Sequence, residues 1–215
     1  MNIPKLRRQK TFKKCHGISW EDNYAWIHQE NILEVLKDPS KLDSEVKKYL
    51  EENNNYTEYH LKHTKSFQKK LFNEIKGRIK LDDESLPYKD KKYIYWTKTT
   101  KESNYPIKLR KKINTNKIEE YWSGEKERKK LKAEYIGIGD LEVSNNDQLL
   151  AYSLDLKGSE YFTIHVRRIL DNKIVTDSIY ETSGSIIWSL DDKYIFYSKL
   201  DKYHRPRKIY RHKIG

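Results

Sequence analysis

The sequence predicts an α+β chain: an N-terminal helical arm over residues 1–80, then antiparallel β-propeller blades over residues 81–215. Three observations predict it. Val143-Ser-Asn-Asn-Asp-Gln-Leu-Leu-Ala-Tyr-Ser153 is echoed by Trp188-Ser-Leu-Asp-Asp-Lys-Tyr-Ile-Phe-Tyr-Ser198, so that Ser189 stands 45 positions after Ser144, a spacing typical of propeller blades. The apolar period changes after Gly77 from about 3.6 to about 2, the change from helix to strand. Between the alternating segments lie Asn-Asn-Asp, Lys-Gly-Ser and Asp-Asp-Lys, which are turn residues.

In chain order, residues 1–38 read as a basic arm followed by an aromatic cluster, Trp20-Glu-Asp-Asn-Tyr-Ala-Trp26. Ser40 is expected to cap a helix, with Asp43 three residues on and Pro39 ahead of it. Val46, Tyr49, Leu50, Tyr56, Leu61, Thr64, Phe67, Leu71 and Ile75 then advance mostly in steps of three and four, with Asn53 and His60 as polar interruptions. This is one helix or two in series, ending at Gly77. A single helix to Lys76 would run about 50 Å, too long to fold back on itself, so its apolar stripe needs another body to cover it. Strands are expected at 92–99, 106–113, 118–122, 141–144, 148–155, 161–169, 174–180, 186–190, 193–198 and 208–214. They group into about three blade-like units, 90–122, 138–182 and 185–215. The Lys-rich run Lys126-Glu-Arg-Lys-Lys-Leu-Lys132 is expected to be an exposed loop.

Composition narrows the class. Of 215 residues, 36% are hydrophobic and 35% charged, so the core must lean on 17 Tyr and five Trp, which bury large area and keep a polar handle. Lone Cys15 excludes an intramolecular disulfide framework and a cysteine zinc cluster, and points to a reducing, cytoplasmic compartment. The first 14 residues are basic without an apolar segment behind them, and no run of 18 apolar residues occurs, so neither a secretory leader nor a membrane span is expected. The net charge of +12 invites a nucleic-acid reading, but Lys and Arg are interspersed with 32 acidic residues, the pattern of a solvated surface. Nucleic acid is therefore not the expected partner.

Several separate segments, in order, carry a resemblance. They are Trp20-Glu-Asp-Asn-Tyr-Ala-Trp-Ile27, Glu51-Glu-Asn-Asn-Asn-Tyr-Thr-Glu58, Lys76-Gly-Arg-Ile-Lys80 with Asp82-Asp83, and Tyr105-Pro-Ile107. Val143-Ser144, Leu149-Leu-Ala-Tyr-Ser153, Ser183-Gly-Ser-Ile-Ile-Trp188 and Arg211-His-Lys-Ile-Gly215 continue the series over nearly the whole chain. Together they resemble the oligopeptidase B (protease II) branch of the prolyl oligopeptidase family of serine peptidases. The resemblance implies a seven-bladed propeller over the mouth of an α/β-hydrolase domain, with the helical arm packed on that domain, cleaving short peptides after Lys or Arg. About three of the seven blades are represented here, and the α/β-hydrolase domain is absent. Two departures stand out: Asp22-Asn23-Tyr24 replaces the family's Asp-Pro-Tyr, and Gly124–Tyr135 is unusually rich in Lys.

Acyl transfer in that family needs a Ser on a strand-to-helix elbow, an Asp and His after it, and oxyanion donors. Gly17-Ile-Ser19 lacks the following Gly, and Gly184-Ser185 precedes a strand. His16, His28, His60, His63, His165, His204 and His212 read as surface or core-edge residues, and the His60/His63 spacing lacks a carboxylate to complete a metal set. Gly137-Ile-Gly139 lacks the third Gly and the following helix of a dinucleotide loop. No catalytic, cofactor-binding or metal residue is assigned, no cofactor is expected, and the chain alone is expected to be inactive. An isolated end blade exposes apolar surface, so the chain is also expected to be marginally stable or aggregation-prone. The expected partner is a separate chain carrying the remaining blades and the hydrolase domain, with short basic peptides bound only after complementation. The alternatives are a non-enzymatic β-rich module for acidic partners or nucleic acid, and a remnant of a split gene.

Overall fold

The computed structural model describes residues 1–215 as two compact units, Met1–Ile79 and Lys80–Gly215. No helix is long and apolar enough to cross a membrane.

The first unit opens with a hairpin that the reading of residues 1–38 did not contain. Strands β1 (Thr11–Cys15) and β2 (Ile18–Asp22) pair antiparallel, Cys15 opposite Ile18. His16 and Gly17 both take positive φ, 49° and 79°, as a tight two-residue hairpin turn requires. After a 3-10 turn at Ala25–Ile27 come α1 (Ile32–Lys37), a 3-10 turn at Pro39–Lys41, α2 (Ser44–Leu61) and α3 (Lys65–Gly77). Ser40 does not cap the long helix. It lies in the 3-10 turn, where its hydroxyl donates to Asp38 at 2.7 Å. Asp43 caps α2 instead, its carboxylate accepting from the Glu45 and Val46 amides at 2.9 and 3.0 Å. A negative acceptor at a helix start satisfies free amides and opposes the helix dipole. The helix breaks at a 3-10 turn, Lys62–Thr64, where the Thr64 hydroxyl donates to the Leu61 carbonyl at 2.7 Å. Phe67, Leu71, Phe72 and Ile75 form an exposed apolar stripe along α3.

The second unit is a succession of antiparallel meanders. In the first blade, β3 (Asp83–Glu84) and β4 (Tyr88–Asp90) both pair with β5 (Tyr93–Thr100), followed by β6 (Ser103–Lys112) and β7 (Ile118–Ser123). The second blade is β8 (Gly137–Val143), β9 (Leu149–Asp155), β10 (Phe162–Arg168) and β11 (Ile179–Thr182). The third is β12 (Ile187–Trp188), β13 (Tyr194–Leu200) and β14 (Pro206–Lys213), tied to the second by the bridge Thr182↔Lys199. Register repeats from blade to blade: Tyr93 faces Lys112, Leu149 faces Arg168 and Tyr194 faces Lys213. Just outside each of these pairs, the amides of Ile113, Ile169 and Ile214 donate to the carbonyls of Lys92, Gln148 and Lys193, each at 2.9 Å.

The repeated motif is a turn with repeated chemistry. The Ser144 hydroxyl donates to Asn146 Oδ1 at 2.8 Å and accepts from the Leu149 amide at 2.9 Å. The Ser189 hydroxyl donates to Asp191 Oδ1 at 2.6 Å and accepts from the Tyr194 amide at 3.0 Å. Asp147 and Asp192 occupy the left-handed position of the two turns, φ 65° and 58°, which short polar residues tolerate.

Two further expectations differ from the structure. The strand placed at 174–180 is only 179–182; Ile174 makes one isolated bridge to Arg167. The Thr176 and Ser178 hydroxyls there bond to the rings of His212 and His165 rather than edging a ladder. The Lys-rich run is not a loop. Gly124–Lys130 forms a helix, α4, with Glu125 and Glu127 in its first turn and Arg128, Lys129 and Lys130 in its last, the charge order that complements a helix dipole. Arg128 clamps Glu125 with two bonds of 2.8 and 3.0 Å. A Cβ at Gly124 would lie 2.5 Å from Tyr105 Cβ, so only glycine lets the helix start against β6.

Candidate functional site at the blade seams

Several of the polar and charged side chains buried in the second unit, among them Arg110, Glu127, Asp147, Ser153 and Arg167, lie at its two seams. At the first, between blades one and two, the core is aromatic: Tyr95, Tyr121, Trp122 and Tyr152 pack with Ile136, Leu150, Leu154 and Ile169. Through this apolar body pass charged groups. The turn that follows β7 brings Glu127 of α4 onto Arg167 of β10 as a buried ion pair, and the Arg167 guanidinium also donates to the Tyr121 carbonyl at 3.2 Å. Removing two charges from water is costly unless geometry and further hydrogen bonds compensate. Arg167 also lies 5.2 Å from the Tyr152 ring centre. Burial, reinforced by the Glu127 charge, pushes the Tyr152 phenol up to about 12.

A second charged set lies at the turn end of this seam. Buried Arg110 of β6 donates to Glu119 at 3.0 Å and to the Asp147 carbonyl at 2.7 Å, and stacks 4.1 Å from the Tyr93 ring centre. The Tyr95 hydroxyl donates to Asp147 Oδ1 at 3.1 Å; burial first, and the Asp147 charge second, raise that phenol above its ordinary value. Asp147 Oδ2 has no partner. A cavity of about 590 Å³ opens here, lined by Tyr93, Arg110, Glu119, Asp147 and Arg168 among others.

The second seam, between blades two and three, is aliphatic: Ala151, Ile164, Val166, Ile179, Ile186 and Ile195. One blade's turn docks on the next through Asp192, whose carboxylate accepts from the Asn145 amide at 2.6 Å, the Asn145 side chain at 2.9 Å and the Asn146 amide at 2.8 Å. The Ile186 amide donates to Asp140 at 2.9 Å, the Trp188 indole to the Glu142 carbonyl at 2.9 Å, and the Ser153 hydroxyl to the Gly184 carbonyl at 2.6 Å. Gly184 has φ +92°, and a Cβ there would meet the Phe162 ring at 2.9 Å.

The seven histidines are scattered. His16 is in the β1–β2 turn and His28 follows the Ala25–Ile27 turn. His63 bonds to the His60 carbonyl at 2.9 Å, and no group of three His, Cys, Asp or Glu side chains is placed to hold a metal. His204 bonds to the Ser159 carbonyl at 3.2 Å. Two imidazoles meet hydroxyls, His165 with Ser178 at 3.0 Å and His212 with Thr176 at 2.6 Å. Ser178 leads directly into strand β11 rather than a helix, so this pair is not a nucleophile elbow. The seam residues Glu127, Arg167, Asp147 and Asp192 were not singled out from the sequence. Asp147 and Asp192 occupy equivalent places in the repeat, which marks the turn but not its partner across the seam.

Comparison with known proteins matches residues 4–215 to the family described as prolyl oligopeptidase, N-terminal beta-propeller domain. Among curated relatives, dipeptidyl aminopeptidase BI of Pseudoxanthomonas mexicana is 27% identical over 91% of this chain and 28% of its own length. Protease 2 of Moraxella lacunata is 24% identical over 100% of this chain and 30% of its own. The fold of oligopeptidase B from Leishmania major superposes with a TM-score of 0.84 at 22% identity, covering 100% of this chain and 31% of that one. Oligopeptidase B from Trypanosoma brucei gives 0.82 at 23% identity, covering 99% and 31%. The chain thus spans about three tenths of the proteins it matches. With blades, register and seams in place, it belongs to the prolyl oligopeptidase family, of whose N-terminal propeller domain it forms a part.

Proposed function

We propose that this chain is the N-terminal propeller part of a serine oligopeptidase that cleaves short peptides after Lys or Arg, and that the chain alone turns over no peptide. The observation that carries the proposal is the match of the whole chain to the first third of oligopeptidase B structures and of Protease 2. Hydrolysis in a serine peptidase requires a hydroxyl nucleophile, an imidazole base held by a carboxylate and oxyanion donors, all converging on one carbonyl. The two hydroxyl–imidazole pairs, His212–Thr176 and His165–Ser178, lack that convergence. The proposed partner is a polypeptide carrying the remaining blades and the hydrolase domain. Ile209 at 80% exposure and Ile187 at 68% sit on the face of blade three that a further blade would cover. A reducing, cytoplasmic setting suits the single exposed thiol of Cys15.

The test is a pair of assays with Arg and Lys reporter peptides. The chain alone should release no reporter; release by a homogeneous preparation would refute its inactivity. Mixing it with the C-terminal remainder of Protease 2 should restore cleavage after basic residues. Stable association without cleavage would refute the peptidase reading, and absence of association would refute the partner.

A further inference from the structure

The third strands of the first two blades are each held on both sides: β6 lies between β5 and β7, and β10 between β9 and β11. Their counterpart in blade three, β14, pairs with β13 alone and leaves its other edge open. The Ile214 amide donates to the Lys193 carbonyl, so by alternation the amides of Ile209, Arg211 and Lys213 point to that open edge. Gly215 then takes φ 98°, as Asn114 takes 65° where the chain turns from β6 into β7. An unpaired edge is a template for another strand.

The side chains of β14 indicate what kind of strand it takes. Aligned by register, Tyr95 and Arg110, Ala151 and Val166, and Phe196 and Arg211 form the same cross-strand pair in the three blades. That pair follows the character of the seam, aromatic and charged at the first and aliphatic at the second. Blade three returns to the first kind. Arg211 lies 4.6 Å from the Tyr194 ring centre, as Arg110 lies 4.1 Å from that of Tyr93. Arg110 is buried opposite Glu119 of β7, to which it donates at 3.0 Å, and it reaches the Asp147 carbonyl in the turn of the next blade at 2.7 Å. Arg211 is exposed, and β14, Pro-Arg-Lys-Ile-Tyr-Arg-His-Lys, contains no acidic residue. Pairing with a second copy of β14 would set like charges opposite one another, which disfavours the chain itself as occupant.

We infer that the open edge of β14 receives an antiparallel strand with a carboxylate opposite Arg211, and that the seam begun there is aromatic and charged like the first. The Arg211 guanidinium then also reaches a turn carbonyl of the following blade, as Arg110 does. The occupant is the leading strand of the polypeptide that carries the remaining blades, so the inference rests on that part of the proposed function. Its selectivity comes from a charge-assisted bond covered by the seam, stronger there than on an open surface.

The test supplies the strand and measures no peptidase activity, so it can fail while the peptidase reading stands, and the reverse. A second copy of residues 115–123, which carry the end of the β6–β7 turn and β7, is joined after Gly215 of the full chain, where the short tether holds it near the edge at an effective concentration of about millimolar. Amide-exchange protection at Ile209, Arg211 and Lys213 should rise at least about tenfold over the parent chain. Glu119→Gln within the copy, or Arg211→Gln with the copy intact, should each lower that protection at least about fivefold. Lys213→Gln, the same loss of charge on the same strand, should leave it within about twofold. Unchanged exchange in the extended chain would overturn the edge as a receptor, and equal protection in the two Gln variants at the pair would overturn the choice of an acidic strand. Protection in the parent that rises with its concentration would assign the edge to a second copy and overturn the proposal likewise.

Discussion

The two seams join blades of the same fold by different means. Blade one meets blade two through rings and a buried ion pair, Tyr95, Tyr121, Trp122 and Tyr152 around Glu127–Arg167. Blade two meets blade three through aliphatic side chains and a turn that docks by Asp192. The equivalent aspartates show why. Asp192 finds the Asn145 and Asn146 amides on the neighbouring turn, whereas Asp147 takes the Tyr95 hydroxyl. A repeated turn therefore specifies a blade, while its neighbour specifies the seam.

The largest expected effect lies in the ion pair. Arg167→Met strands Glu127 without a partner in the core and should cost about 3–5 kcal/mol in urea unfolding, whereas the double change Glu127→Leu with Arg167→Met should recover most of it. A single change that costs no more than the double would show that the pair does not organise the first seam. Next comes Gly184→Ala, which forces a side chain into a left-handed φ against the Phe162 ring and should cost about 1–3 kcal/mol. An unchanged urea midpoint would mean that the close approach of Gly184 to Phe162 does not fix the second seam.

The paired aspartates give a smaller and sharper test. Asp192→Ala removes an acceptor of three bonds and should cost about 1.5–3 kcal/mol, against about 0.5–1.5 kcal/mol for Asp147→Ala, which loses one bond from Tyr95. Equal losses would mean that the two turns contribute alike despite their different partners.

Legibility follows sequence distance. The blades were readable because their information is local: alternation within a strand and a Ser-x-Asx-Asp turn whose bonds close within five residues. The β1–β2 hairpin is equally local, and His16-Gly17 was its signal, obscured by the basic residues around it. In the Lys-rich run the charge total suggests a loop, whereas its order, acidic first and basic last, favours a helix. The seam chemistry was not readable. Glu127 meets Arg167 across 40 positions and Asn145 meets Asp192 across 47, and nothing in either residue's neighbourhood marks it as the partner of the other.

The smallest expected effect is a pH dependence confined to the first seam. His165 of β10 stacks near Tyr152, bonds to Ser178 at 3.0 Å, and feels Glu127 and Lys130 from α4. Burial is the largest influence and lowers its basicity, ahead of the opposing pull of Glu127 and the further lowering by Lys130. The folded state therefore resists protonation more than the unfolded chain does. Its contribution is complete above the unfolded value of about 6.5 and is lost as pH falls through that value towards the lower folded one. The urea midpoint should accordingly decline between pH 7.5 and 5.5, and His165→Gln, which keeps a polar partner for Ser178, should flatten that part of the decline. If the variant and the parent fall in parallel, the acid sensitivity belongs elsewhere, and burial at the first seam exerts no measurable hold on the imidazole.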